Sequence, residues 1–311
     1  MPSSTPADQT DDTPRRYRRV LRRYLLLGVT MFLAGCAGRV THVVESFTFY
    51  VPSREPFVTP AVARDITITT AGRATLHGWW LNAHEGVPAK GTILFCHGNA
   101  GRLPDHLAFV ERFPALGYDV LMFDYRGYGR SSRTVQLNRY SLLRDARAMH
   151  DYLLKTGTDP DLPLVLLGHS MGAAIGVALA AERPDAFDGV VLVAPFSSFP
   201  RVASDFAGPL GWLLIPQGLA PENQAASLGK TPLLLIYGEQ DRVVRPYHSD
   251  RIADAAVQAG VPTTHLPIRD ATHVDVFDAK YGTHQTIDRF IGSLLRPDAA
   301  ATTTEDPAPA E

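Results

Sequence analysis

From about residue 65 the chain alternates short apolar runs with helix-like stretches, and this alternation constrains the fold more than any other feature. Asp65–Thr70 and Ala74–Asn82 flank the turn Ala71-Gly72-Arg73 as a hairpin. Six further runs follow: Gly91–Cys96, Asp119–Phe123, Pro163–Leu167, Gly189–Val193, Pro232–Tyr237 and Pro262–Pro267. Their largely apolar content suits strands buried on two faces, and parallel strands need crossover helices between them. Helices are expected at about 106–115, 139–155, 171–183, 248–259 and 284–295. The pattern predicts an α/β fold over residues 62–296, with a mostly parallel central sheet and helices on both faces. Residues 197–230 break the rhythm with prolines and the apolar Leu210–Leu214 stretch around Trp212, which reads as a small cap.

One of these junctions carries a chemical motif. Gly168-His169-Ser170-Met171-Gly172 lies between the apolar run Pro163–Leu167 and the helix-forming Ala173, Ala174 and Ile175, the strand–turn–helix setting of a nucleophile elbow. A sharp turn leaves no room for side chains two residues either side of the serine, hence the glycines. It presents the Ser170 hydroxyl beside a helix N-terminus, whose dipole favours developing negative charge.

A serine hydroxyl is a weak nucleophile without a base, and the base needs an orienting carboxylate. His273 follows the last expected strand, whereas His265 lies within that strand and His284 begins the last helix, where both read as structural. Asp241 follows the run Pro232–Tyr237 and completes the chain order Ser, Asp, His, with Glu239 and Asp124 as rivals for the acid. After the run Gly91–Cys96 comes His97-Gly98-Asn99-Ala100-Gly101, where the Asn99 amide can join the Met171 amide as the two oxyanion donors. His97 reads as a loop-shaping residue, and Cys96 as a buried, inert thiol.

Together, HGNAG, Asp124-Tyr125-Arg126-Gly127-Tyr128-Gly129 with Ser131, GHSMG, GEQD and ATH resemble the α/β-hydrolase superfamily, in particular its small-cap, serine-aminopeptidase-like branch. The resemblance implies a serine hydrolase that cleaves carboxylic esters or thioesters through an acyl-enzyme, with no metal or organic cofactor and a small-molecule or lipid-like acyl substrate. A peptidase or amidase of the same fold is the nearest alternative, and a catalytically silent envelope-binding module is a more distant one. A dehalogenase would carry aspartate at the position of Ser170.

The chain termini are of another kind. Residues 15–23, RRYRRVLRR, precede an apolar stretch from Tyr24 to Leu33 that reads as the basic and hydrophobic regions of an export signal. Ten helical residues span only about 15 Å, against a bilayer core of about 30 Å. The segment ends in Leu33-Ala34-Gly35-Cys36, which resembles a bacterial lipoprotein signal: residues 1–35 would be removed, and Cys36 lipidated. An uncleaved signal anchor is the alternative. Ala37 in place of aspartate favours the outer membrane, with the domain facing the periplasm on a spacer over 36–61. Residues 297–311 hold no large apolar side chain and read as a disordered tail. The leader holds six arginines against three aspartates, so the rest of the chain is mildly acidic although the whole carries −2. That balance excludes a nucleic-acid partner.

Overall fold

The computed structural model describes residue 49 and residues 56–133, 137–156 and 158–295. The leader, Cys36, most of the spacer and the tail lie outside the described residues. Within them, one sheet is formed by β1 (Arg64–Thr69), β2 (Thr75–Leu81), β3 (Gly91–Cys96), β4 (Tyr118–Phe123), β5 (Leu164–His169), β6 (Gly189–Val193), β7 (Leu233–Gly238) and β8 (Thr263–Ile268). Their spatial order is β1-β2-β4-β3-β5-β6-β7-β8. β2 pairs antiparallel with β1 and β4, and every pairing from β4 to β8 is parallel.

The central strands read as unbroken apolar runs because both faces are covered. In β3, Ile93 and Phe95 enter one core layer while Leu94 and Cys96 enter the other; in β5, Val165 and Leu167 oppose Leu164 and Leu166 in the same way. Each such buried aliphatic side chain stabilises the fold by about 1.5–3 kcal/mol relative to exposure. The edge strand β8 differs from the expectation of burial on two faces. Thr264 and His265 are exposed, and Pro267, which lacks an N–H, is tolerated because nothing need pair beyond it.

The helices are α1 (Leu103–His106), α2 (Arg139–Thr156), α3 (Met171–Glu182), α4 (Phe199–Ala207), α5 (Pro209–Leu214), α6 (Pro221–Ala225), α7 (Tyr247–Gln258) and α8 (Thr283–Gly292). The single helix expected over 106–115 does not form. α1 starts earlier, at a proline-containing first turn, and gives way to 3₁₀ turns at Leu107–Phe109 and Pro114–Leu116. His106 turns a ring N–H to the Arg102 carbonyl at 3.1 Å, and Pro114 has no N–H to contribute to a continuing helix. α3 is buried on all sides from Met171 to Ala180, which its run of Ala, Gly and Val permits. Between β6 and β7, the segment expected as a cap carries α4, α5 and α6, with Gly208 at φ 57° as the joint between the first two.

Candidate active site

Ser170 joins β5 to α3 with φ 53° and ψ −117°, a conformation that costs a residue with a side chain about 1–3 kcal/mol. The surrounding backbone compels it. A Cβ on Gly172 would lie 1.9 Å from the Cys96 carbonyl oxygen, and one on Gly168 would lie 2.6 Å from Ala173 Cα. Both glycines of the elbow are therefore set by direct backbone approach, as the turn argument requires.

Three separate loops at the ends of β5, β7 and β8 bring Ser170, Asp241 and His273 together. His273 Nε2 stands 3.0 Å from Ser170 Oγ, and Nδ1 stands 2.7 Å from Asp241 Oδ2. With Nδ1–H donating to the carboxylate, the Nε2 lone pair faces the serine hydroxyl. The other oxygen of Asp241 accepts the Val243 and Val244 N–H groups, each at 2.8 Å. All three side chains are buried.

The rivals are accounted for elsewhere. Glu239 is exposed. Asp124 is buried and accepts the N–H groups of Leu103 and Arg130, which ties down the loop of the DYRGYG motif. His265 stacks on Tyr237 with ring centroids 5.0 Å apart, and His284 donates to the Phe109 carbonyl at 3.1 Å. His97 donates Nδ1–H to the Gly98 carbonyl at 2.7 Å, which bends the loop that carries Asn99. Asn99 and Met171 line the same cavity as Ser170. The Met171 N–H belongs to the first turn of α3, where intrahelical acceptors are lacking. The Asn99 side chain accepts the Tyr128 hydroxyl at 2.8 Å.

Several supporting residues escaped the sequence reading. His169 donates Nε2–H to the His273 carbonyl at 3.1 Å, so the elbow itself holds the loop of the base. Tyr128 steadies Asn99 from a motif to which no role in the site was carried. A second Ser–His–Asp array also emerges: His248 Nδ1 is 2.9 Å from Ser197 Oγ, and its Nε2 is 3.1 Å from Asp205 Oδ2. Ser197 and His248 are fully buried, and the ring is turned the opposite way from His273. The Ser197 N–H also donates to Nδ1, and the Tyr247 hydroxyl donates to Asp205 at 3.0 Å. This array fastens α4 to α7 and to the loop after β6. Its members come from segments with no mutual spacing, so no linear signal marks them.

Burial also fixes the protonation of the surroundings. It holds the imidazoles of His97 and His169 far below their ordinary range, and the neighbouring imidazoles His106 and His273 add to the effect. His106, His248 and His284 are lowered for the same first reason, and His150 is lowered to about 4 by burial and by Arg183. Burial raises the Cys96 thiol to about 12, keeping it a neutral thiol. Folded-state histidine values depressed below the unfolded one mean that the unfolded chain takes up more protons as pH falls below about 6.5. The stability they contribute is complete above that pH and is lost on acidification toward the folded values. The urea midpoint is expected to fall from pH 7.5 to pH 5.5; a midpoint that rises would contradict the assignment.

Beside Ser170 lies a cavity of about 490 Å³, lined by Phe196, Phe199, Phe206 and Leu210 among others, and by no charged side chain among the described residues. Ser170 and Asn99 are the polar side chains of its lining.

A family model described as serine aminopeptidase, S33, matches residues 87–227. YfhR of Escherichia coli K12 is 30% identical over 279 residues, covering 88% of this chain and 95% of that protein. The chain belongs to the family of these relatives, within the α/β-hydrolase superfamily. Among solved structures, an esterase from Pyrococcus furiosus matches with a TM-score of 0.63 at 22% identity, covering 79% of this chain and 96% of the other. A puromycin-hydrolysing peptidase from Mycobacterium tuberculosis matches with a TM-score of 0.59 at 21% identity, covering 75% and 40%. At these identities both likenesses speak to the fold.

Proposed function

We propose that the protein is a serine hydrolase that cleaves carboxylic esters or thioesters through an acyl-enzyme. The observation that carries this reading is the unbroken chain from Ser170 Oγ through His273 to Asp241, ending at an apolar cavity. Ser170 Oγ attacks the substrate carbonyl while His273 Nε2 takes the hydroxyl proton. The tetrahedral oxyanion turns toward the Met171 and Asn99 amides. Collapse expels the alcohol or thiol, which receives the proton from His273. Water, deprotonated by His273, then cleaves the acyl-serine bond and releases the acid. Asp241 holds the His273 tautomer and stabilises the imidazolium formed in both halves.

Ester cleavage is favoured over aminopeptidase action by the lining of the cavity. A free amino terminus needs a carboxylate or a set of acceptors, whereas phenylalanine, leucine and valine side chains suit an acyl chain. A series of p-nitrophenyl esters tests this: kcat/KM is expected to rise about fourfold per methylene until the cavity is filled, following ~0.8 kcal/mol per buried CH₂. A preference for acetate, or turnover confined to aminoacyl amides, would overturn it.

The same proposal places the enzyme at the bacterial envelope by a lipid on Cys36, supported by the basic leader, its short apolar stretch and Leu33-Ala34-Gly35-Cys36. Among the described residues no helix is long and apolar enough to cross a membrane. Cys36→Ser is expected to abolish metabolic palmitate labelling and to leave the precursor uncleaved. Mass spectrometry finding an intact Met1 on the wild-type protein would restore the signal-anchor alternative without touching the catalytic reading.

A further inference from the structure

The two helices that wall the cavity also turn large apolar side chains outward. Phe206 is 69% exposed, Leu210 56%, Leu213 74%, Trp212 45% and Val243 48%. Phe206, Leu210 and Val243 belong at once to this face and to the lining of the cavity, so the apolar surface is continuous with the cavity mouth. Large apolar groups left exposed at the mouth of a cavity mark an interaction surface. Arg242 and Arg245, both exposed, flank Val243, and Arg201 lies over the Trp212 ring at 5.6 Å; Arg245 also pairs with Asp205 at 3.6 Å and Arg201 with Glu222 at 3.8 Å, so Arg242 is the cation on which the charge argument rests. Tryptophan beside arginine around an apolar centre matches the layering of a membrane interface, where the indole sits at headgroup depth and cations meet anionic lipid.

Chain length points the same way. Phe49 contributes to the wall of the cavity and meets Phe199 edge-on at 6.4 Å. Only twelve residues separate it from Cys36, which is at most about 45 Å of extended chain. A lipid on Cys36 would thus tether the domain through a residue that walls the cavity.

We infer that the outer face of α4 and α5, with Val243, docks on an anionic lipid bilayer, so that the cavity mouth opens against the membrane and acyl substrates enter from it. This deepens the proposed function and rests on it for the substrate, and on the envelope reading for the tether. The docking contact itself is independent of both.

Of the three tryptophans, Trp79 and Trp80 are buried in the sheet, which leaves Trp212 as the exposed reporter. Full-length protein is mixed with vesicles of phosphatidylglycerol and phosphatidylethanolamine carrying brominated acyl chains, and tryptophan emission is followed. Quenching in the wild type that disappears in Trp212→Phe is expected. Emission that stays unquenched would overturn the proposal, whether the protein floats with the vesicles on its lipid alone or buries Trp212 in a dimer. Leu213, outside the cavity lining, supplies a second arm. Leu213→Glu is expected to lower hydrolysis of a vesicle-borne ester by about tenfold, because interfacial binding scales with buried apolar area, and to leave turnover of dissolved p-nitrophenyl acetate unchanged. Equal losses on both substrates, or on neither, would overturn it. Failure of the hydrolase reading shows instead as wild-type protein inert toward dissolved ester, and failure of the anchor reading as unmodified Cys36. Neither of those results alters the quenching.

Discussion

Ser170→Ala is expected to lower kcat on a p-nitrophenyl ester by at least ~10⁴-fold while leaving the thermal unfolding midpoint in place or slightly raised. The loss is large because the nucleophile, base and acid act as a unit: without the oxygen, His273 has no proton to take and no acyl-enzyme can form. The unchanged fold follows from the local geometry. Ser170 holds a strained left-handed conformation that alanine adopts at the same cost, and its N–H, not its side chain, bonds to the Val193 carbonyl at 2.9 Å. What remains after substitution is the binding cavity and the oxyanion amides. Retention of more than about a tenth of wild-type activity would be incompatible with a triad acting as a unit and would move the nucleophile elsewhere.

Asp241→Asn is expected to cost about 10⁴-fold in kcat, with substrate binding little changed. An asparagine oriented by the Val243 and Val244 amides keeps its oxygen toward them and turns its NH₂ toward His273. That amide can only donate to Nδ1, so the proton moves to Nε2, and the nitrogen facing Ser170 can no longer accept. Glu239→Gln is expected to change little, because Glu239 is exposed and its backbone N–H, which the substitution keeps, donates to the Ile268 carbonyl. A larger loss at Glu239 than at Asp241, measured on the same ester, would require the carboxylate to be reassigned.

Much of this architecture is legible in the sequence because its determinants are local. Continuous apolar runs such as Gly91–Cys96 announce strands covered on both faces, and the spacing of Gly168, Ser170 and Gly172 reports a turn whose tightness is visible in the clash of a Cβ at Gly172 with the Cys96 carbonyl. His273 and Asp241 could be selected because the C-terminal ends of parallel strands converge on one edge, which makes position along the chain a proxy for position in space. The misses share one cause. The break in the 106–115 helix shows in short-range bonds such as Val110 N–H to the Leu107 carbonyl, which the apolar pattern does not announce, and the role of His169 depends on a loop more than a hundred residues away. The Ser197–His248–Asp205 fastening joins the loop after β6, α4 and α7, and nothing in its spacing distinguishes those residues from ordinary surface ones. The exposure of β8 likewise follows from its place at the end of the sheet order, which its own sequence does not carry.

The most direct test of the central claim is covalent. The protein is incubated with an alkyl fluorophosphonate, and the adduct is located by peptide mass spectrometry, with Asp241→Asn as a comparison. Stoichiometric phosphonylation of Ser170, slowed by orders of magnitude in the variant, is the result that an activated Ser170 predicts. No adduct, or an adduct on Ser197 or any other residue while Ser170 stays unmodified, would contradict it.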